Sequence, residues 1–580
     1  MATYSAPLRE INFVLNNVLK VGRLAETIPH FADATPETML ELIDTAAKFC
    51  EKELAPLSAS GDTEGCTRHP DNTVSVPKGF TEAFKAYAAN GFVGISNPTE
   101  YGGLGMPYLL WKVVEEMVCS GNVAFALYPG LTGGCFEAIL ANGSEEQKQT
   151  YLPKLSSGEW TGTMLLTEPQ AGTDLAAVKT KAIPQADGSY KLEGGKIFIT
   201  SGEHGMAENI IHFALARIEG AVPGVKGLST FVVPKFLVNA DGSLGARNPI
   251  FCSAIEHKMG IHGSVTASMM LDGAVGTIVG KPNEGIMNMF VMMNLARIMV
   301  GFQGLGQMEL ATQNAVRYAL DRKQPKPIID FPDVRRMILQ MKALTEGARV
   351  MAYETAMYVD FAHHHPDAAV REEANDWVEL NTPLVKSFCT DGAVELGSTA
   401  IQVYGGHGFI TEHGIEQILR DSKILCLYEG TNGIQAMDLV RRKLFLNEGR
   451  AVKRFFALVQ AAASKAAPEF AFIAEPLKTA LGDLEAATGW IHETFRASPE
   501  QASFGCCDYQ RAFCLVYLGY NWLRMAQAVS DHSDEAFKAG KLTTAKFFAS
   551  KLLTQVTPLC ETVKGGSGDF MSLPAAQLAA

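Results

Sequence analysis

The chain has 580 residues, 47% of them apolar and 19% charged, and carries a net charge of −12. That length suggests about three or four domains, and the balance fits a globular protein with a large core. The acidic excess argues against nucleic acid and anionic membranes as main partners. The densest apolar run, Ile286 to Phe302, is interrupted by Asn288, Asn294 and Arg297, so no membrane span is expected. Arg9, Glu10, Asn12 and Asn16 break up the N-terminal stretch, so no signal peptide is expected either. The 11 cysteines lack metal-ligand spacing, and the neighbours Cys506 and Cys507 are poorly placed for a mutual bridge. A reduced, cytoplasmic protein is the simplest reading.

From about residue 36 to 160 the pattern is helical. Thr35 is placed as an N-cap with Pro36 in the first turn, and Leu40, Ile43, Ala47 and Cys50 keep helical spacing. Gly79 to Ala89 predicts a further helix, Leu109 to Cys119 and Ala124 to Leu140 predict two buried ones, and Ser144-Glu145-Glu146-Gln147 opens another. Gly102-Gly103-Leu104-Gly105 follows no clear strand, which makes it a weak dinucleotide loop. From 161 to 282 the character is β. Asp187-Gly188 lies between Lys179–Ile183 and Tyr190–Leu192 as a hairpin signal. Ile210–Ala216, Leu228–Val233 and Ala267–Leu271 are short β-like runs. Thr167 to Asp174 alternates polar side chains with glycine, which suits hydrogen bonding to a planar heteroaromatic ring and phosphate, and equally an ordinary turn.

From 283 to 446 helices return. Met287–Gln303, Leu305–Asp321, Phe331–Val359 and Asp376–Val403 are long enough for a four-helix bundle. Asn294 and Arg297 sit one turn apart in the first, and Arg297 serves a ligand or caps carbonyls of the bundle. His363-His364-His365 precedes Pro366 in a polar connection; with no carboxylate–histidine spacing the residues are expected to face solvent, with no metal. Residues 447–580 are again helical: Phe513 to Tyr520 is apolar nearly all round, Phe548, Leu552, Val556 and Leu559 form a stripe, and Gly565 to Gly568 reads as a flexible tail. The resulting division is an N-terminal helical domain with a short extension (1–160), a middle β domain (161–282), a helical bundle (283–446) and an additional helical domain (447–580).

The stretch from Ile401 to Gln435 carries the chemistry. Gly405-Gly406-His407-Gly408 lets backbone pass close to a bulky partner. Tyr428-Glu429-Gly430-Thr431 follows the apolar run Ile424 to Leu427, and a carboxylate in apolar surroundings is a poorly solvated base with its pKa pushed upward. A lone Glu-Gly-Thr is most often a surface turn. This one is not alone: Gln402, Gly405, Gly406, Gly408, Phe409, Glu412, Arg420 and Asp421 stand at the spacing of the C-terminal signature of the acyl-CoA dehydrogenase family, which the segment resembles. Gln417 departs from the usual Lys or Arg. Thr167 to Asp174 resembles the family's first signature, with Leu165 replacing a small residue, and Gly195 to Gly202 follows in the expected order. Glu256 to Gly263 and Asn12 to Asn16 resemble a C-terminally extended branch that includes 3-methylmercaptopropionyl-CoA dehydrogenases.

The resemblance implies a multidomain α+β fold: N-terminal helices, a β-barrel-like middle domain, a four-helix bundle and extra C-terminal helices. It implies FAD held by Met164, Thr167, Thr173, Phe198 (commonly Trp), Thr200, Gln402, Gly405, Gly406 and Thr431. Arg322 would reach the FAD diphosphate of a neighbouring subunit, although Gln324-Pro325 replaces the usual Phe-Gly, and Gly433 departs from the usual Glu or Gln on the adenine side. Asn294, Arg297 and Gly430 would adjoin the acyl-CoA, with Glu429 as the base that removes the α-proton. The implied reaction is α,β-dehydrogenation of an acyl-CoA in fatty-acid β-oxidation, by a homodimer that passes electrons to an electron-transfer flavoprotein. An oxidase on the same fold, or a non-catalytic flavin-binding assembly factor, are the alternatives. The acyl group is not readable, because side chains from several helices set the depth of its pocket.

Overall fold

A computed structural model describes residues 2–579. The chain forms two compact units, one made of Glu41–Met299 with Thr3–Ala6, the other of Pro7–Leu40 with the chain from Val300 onward.

Helix α1 (Pro36–Phe49) starts where expected, with Thr35 Oγ1 accepting the Thr38 N–H at 3.3 Å. Helix α2 (Phe80–Ala89) follows Gly79 at φ +89°. The two buried helices expected between 109 and 140 both form, as one run α3 (Tyr108–Asn142) broken between them at Asn122, whose backbone is non-helical (φ −161°, ψ 93°). Asn122 Oδ1 accepts the Phe125 N–H at 3.0 Å, so the kink is capped from inside as a helix start would be. Helix α4 (Glu145–Ser157) opens with a reciprocal capping box between Ser144 and Gln147.

Seven strands follow: β1 (Trp160–Leu165), β2 (Lys181–Pro184), β3 (Tyr190–Thr200), β4 (Asn209–Ile218), β5 (Leu228–Pro234), β6 (Ile250–Ile255) and β7 (Thr266–Val279). Their order is β6-β7-β3-β2-β4-β1, and β5 pairs with both β4 and β7. Strands β7, β3, β2, β4 and β5 therefore close a ring, the barrel-like arrangement expected. Gln147 Nε2 reaches from α4 to Thr277 Oγ1 and the Ile278 carbonyl, 2.9 Å each, tying the helices to this sheet.

Helix α5 (Gly285–Asp321) merges the two helices expected from 287 to 321. Gly301 and Gly304 permit close packing rather than ending the helix. A Cβ on Gly301 would meet Val385 Cγ1 at 2.6 Å, and one on Gly304 the Cys389 backbone at 2.6 Å. Both neighbours belong to α7 (Ala368–Tyr404), which packs along α6 (Pro332–His364). Helices α8 (Ile415–Lys423) and α9 (Asn432–Arg441) complete the bundle.

The additional segment folds as α10 (Arg450–Lys465), α11 (Ala471–Ala497), α12 (Cys506–Val529), α13 (Glu535–Phe547) and α14 (Val556–Lys564). Helix α12 is buried along almost its whole length. Trp522 Nε1 donates to the Ala343 carbonyl (3.0 Å), and the Tyr517 hydroxyl and Arg524 both bond Glu354 (2.8 and 2.9 Å), so α12 covers one face of α6. Residues 7–40 group with this unit, not with the helices that follow them in sequence. Phe13 packs edge-on to Phe537 at 5.3 Å, and the buried Lys541 bonds Glu10 and Glu346. Gly565 to Gly568 is a packed turn rather than a free tail: a Cβ on Gly566 would lie 3.4 Å from the Trp490 ring, and Ser567 is buried. His363 and His364 end α6 exposed, and His364 stacks on His30 at 4.8 Å.

Candidate active site

The first group of site residues lies in the β unit. Met164 is buried in β1. Just beyond, half-buried Thr167 accepts the Ile197 N–H on its carbonyl at 2.9 Å. Thr173 is exposed in the loop that follows. Opposite the single residue Ser268 of β7, strand β3 carries two, Ile197 and Phe198. This bulge re-aims the strand. Phe198 sits at φ +59° and is 60% exposed, and Ser201 sits at φ +57°. A left-handed bulky residue is a true outlier, and such strain is held where the surroundings over-determine it. Thr200 between them is half-buried, with its carbonyl accepting Thr163 Oγ1 at 2.5 Å. The buried Ser201 Oγ has no hydrogen-bond partner among the described residues.

Two residues not singled out from the sequence hold this region. Glu168 accepts from Lys196 Nζ (2.8 Å), Thr180 Oγ1 (2.6 Å), Thr180 N (3.1 Å), Lys179 N (2.8 Å) and Gln170 Nε2 (2.6 Å). Lys196 Nζ also donates to the Leu166 carbonyl at 3.0 Å. Both side chains are almost fully buried. Burial works against the Glu168 carboxylate, but the Lys196 ammonium and these donors outweigh it and hold the group at about 2. Burial dominates at Lys196 and pulls the ammonium down to about 8 against the pull of Glu168. At neutral pH the pair is ionised and clamps the two strand-end motifs together. A lysine immediately before the apolar run Ile197–Ile199 was the available signal.

Asn294 and Arg297 lie in the part of α5 that belongs to this unit. Asn294 is half-buried; Arg297 is 9% exposed, its guanidinium 5.9 Å from the Phe290 ring.

The second group lies in the helical unit. Gln402, exposed at the end of α7, accepts the Gly405 N–H on its carbonyl. Gly405 has φ +61°, and a Cβ on Gly405 or Gly406 would meet nothing within 4 Å. Gly408 is different in kind, since its Cβ would strike the Ile401 carbonyl at 2.4 Å. Arg322 is exposed just past α5, and Phe409 is 86% exposed.

The turn from Tyr428 to Asn432 is held at nearly every residue. Tyr428 hydroxyl bonds Gln303 Oε1. The Glu429 carbonyl accepts Gln435 Nε2 at 3.3 Å, and the Gly430 carbonyl accepts Lys386 Nζ at 2.9 Å. Lys386 Nζ also reaches Asn432 Oδ1 (2.7 Å), and Asn432 Nδ2 donates to Asp391 (2.7 Å) and Thr390 Oγ1 (2.9 Å). Thr431 caps α9, its Oγ1 accepting the Ile434 N–H at 3.3 Å. Glu429 has φ +54° and Gly430 φ +88°. The apolar run before it turns Leu425 and Cys426 inward but leaves Leu427 exposed and Glu429 half-buried, less enclosed than the sequence suggested. Around this turn Gln303 Nε2, Ser387 Oγ and Gln435 Oε1 are buried without partners among the described residues.

These features fit a flavin dinucleotide. An exposed aromatic on a bulge, threonines beside it and an unpartnered Ser201 hydroxyl suit a planar heteroaromatic ring, and the open backbone at Gly405-Gly406 suits close approach of a bulky group.

Four family models match in order: acyl-CoA dehydrogenase N-terminal domain (residues 36–159), middle domain (163–274) and C-terminal domain (283–444), then an acetyl-CoA dehydrogenase C-terminal-like domain (455–574). The chain belongs to the acyl-CoA dehydrogenase family. It is 40% identical to a 3-methylmercaptopropionyl-CoA dehydrogenase of Ruegeria pomeroyi, covering 95% of this chain and 96% of that one. It is 33% identical to a butyryl-CoA dehydrogenase of Syntrophomonas wolfei, covering 98% of each. Its fold matches a solved acyl-CoA dehydrogenase of Bacillus anthracis complexed with FAD, at TM-score 0.76 and 22% identity over 93% of this chain and 90% of that one. The protein is an FAD-dependent acyl-CoA dehydrogenase, and the fourth match accounts for residues beyond the bundle.

The Glu168–Lys196 clamp generates a test. Glu168→Ala leaves a buried, unpaired ammonium, so the dehydrogenase should lose about 3–5 kcal/mol of stability, read by denaturant unfolding of holoprotein. The sign with pH follows from the depressed carboxyl: the contribution is full above the ordinary carboxylate range and is lost as pH falls through about 2. An unfolding midpoint unchanged in Glu168→Ala would remove the clamp from the account.

Proposed function

We propose that Glu429 is the base that takes the α-proton of a short acyl-CoA, and that the immobilised turn from Tyr428 to Asn432 is what makes it effective. Removing a weakly acidic α-proton demands a carboxylate oxygen set beside the α-carbon. Lys386 and Gln435 bond the carbonyls of Gly430 and Glu429, and Lys386 also bonds Asn432, so the backbone that carries the Glu429 side chain is held in place. Gly430, without a side chain, leaves room for the thioester beside the base. Bound FAD supplies the acceptor for the β-hydride, which no side chain can take. On this reading Met164, Thr167, Thr173, Phe198 and Thr200 surround the flavin ring, Gln402, Gly405, Gly406 and Thr431 hold the rest of the cofactor, and Asn294 and Arg297 adjoin the thioester arm. Arg322 serves the FAD of a second subunit. Two of the relatives act on short chains by name, 3-methylmercaptopropionyl and butyryl, which supports a short acyl group.

Glu429→Gln should retain FAD and acyl-CoA affinity and reduce the flavin by acyl-CoA about 10²–10⁴-fold more slowly. Stopped-flow bleaching at the rate of the unaltered enzyme would place the base elsewhere.

Reduced enzyme should pass electrons to an electron-transfer flavoprotein or an artificial dye much faster than to oxygen. Rapid, stoichiometric peroxide from substrate alone would make the protein an acyl-CoA oxidase instead.

We also infer a homodimer. Helix α12 already covers a face of α6 through Trp522, Tyr517 and Arg524, which leaves less bundle surface for further association. Native mass should give a dimer, and truncation after Phe445 should bring aggregation or a tetramer. A stable tetramer of the full chain would refute this arrangement.

A further inference from the structure

Helix α7 carries a charge where a core side chain would serve the bundle as well. Lys386 is fully buried, and its neighbours along the helix, Leu384, Val385, Phe388 and Cys389, are buried apolar residues. Taking an ammonium out of water is costly, and an apolar side chain of similar volume in its place is often neutral or stabilising. Stability of the bundle alone therefore gives no reason for a lysine at this position.

The bonds of the ammonium give one. Nζ donates to the Gly430 carbonyl at 2.9 Å and to Asn432 Oδ1 at 2.7 Å, both on the turn that carries Glu429. Asn432 is the first residue of α9, and opposite charges orient its amide. The Lys386 ammonium bonds the oxygen, and Nδ2 donates to Asp391 at 2.7 Å and to Thr390 Oγ1 at 2.9 Å. The position needs an acceptor toward the ammonium and a donor toward the carboxylate, and an amide supplies both. Thr390 Oγ1 in turn bonds the Lys386 carbonyl at 2.8 Å, so the frame closes on α7. Glu429 stands at the edge of this frame with φ +54°. A left-handed backbone is sparsely populated for glutamate and lasts only where its surroundings hold it. A return of φ at 429 to negative values would turn the side chain away from its present direction and pull on the Gly430 carbonyl that the ammonium holds.

We propose that Lys386 is a positioning residue for the dehydrogenation: acting through Gly430 and Asn432, it keeps Glu429 in the backbone conformation from which the base works. This rests on the reading of Glu429 as the base, and deepens it.

The test uses full-length, FAD-loaded enzyme carrying Lys386→Met, which keeps the reach of the side chain and removes the charge. Stopped-flow reduction at increasing butanoyl-CoA or 3-methylthiopropionyl-CoA separates the limiting rate from the half-saturating concentration. The limiting rate should fall about 10²-fold, the scale of a slightly misplaced reacting group, with half-saturation near that of the unaltered enzyme. Hydrogen exchange read by mass spectrometry, without substrate, should quicken at residues 428–435 and stay unchanged in α12. A lysine that only stabilises the bundle would lower the unfolding midpoint and leave both readouts unmoved in molecules that are folded and hold FAD. Asn432→Ala should reproduce the slow reduction, and the double variant should be no slower than the slower single one, because the two residues act as a unit. Should Lys386→Met fail to fold, Asn432→Ala carries the test. Reduction at the unaltered rate in the folded variant, or a loss confined to half-saturation, overturns the proposal; if Glu429→Gln is slow in the same assay, the base reading stands without it. Unaltered reduction in Glu429→Gln removes the base and this proposal together.

Discussion

The buried ammonium of Lys386 is the constraint on which the turn from Tyr428 to Asn432 depends. A lysine with no exposure costs several kcal/mol unless its donors find partners. Two of those partners are the Gly430 carbonyl and Asn432 Oδ1, so meeting the cost favours this shape of the turn. Asn432 then carries the constraint onward to Thr390 and Asp391. Lys386 and Thr390 stand one helical turn apart on α7, as do Ser387 and Asp391, so the polar side of one helix and the turn behave as a single body.

The β unit repeats the device with the chemistry reversed. There the ammonium of Lys196 comes from a strand and the carboxylate of Glu168 from a loop, and Thr180 and the Lys179 N–H supply the remaining bonds. In both places a long charged side chain inside the protein fixes backbone that has no regular secondary structure of its own. Neither charge needs to touch the substrate. Each converts a loop that would otherwise sample many conformations into one that a planar cofactor or a thioester can meet without further ordering.

The sequence disclosed the parts whose causes are local. The Thr35-Pro36 helix start, the helix start at Ser144–Gln147 and the Asp187-Gly188 hairpin all formed where they were expected, because caps and turns are decided within a few residues. The motif positions were legible through family spacing alone; nothing in their composition distinguishes Thr167 or Gly405 from turn residues. What stayed hidden depends on distant partners. Lys386 lies 44 positions from Gly430, and Phe13 meets Phe537 from the other end of the chain. The helix break expected between Gln303 and Leu305 is absent for a related reason. Gly304 sits inside α5 because of Cys389 across the way, whereas the break expected between 119 and 124 is real, and the Asn122 side chain caps the helix that follows it.

Backbone strain at Glu429 follows the same logic. Glu429 and Gly430 are both left-handed, at φ +54° and +88°. For glycine that conformation costs little, but for glutamate it costs of the order of 1–3 kcal/mol. Relaxing Glu429 to an ordinary φ would swing the carbonyls of 429 and 430 away from Gln435 and Lys386, and each broken bond would leave a buried donor unsatisfied, at about 1–3 kcal/mol or more for the charged one. The strain is therefore smaller than the cost of relieving it. The same balance explains the order of the two residues: glycine takes the more extreme left-handed position, φ +88°, and the glutamate stands one position earlier, where the bonds to its neighbours hold it at φ +54°.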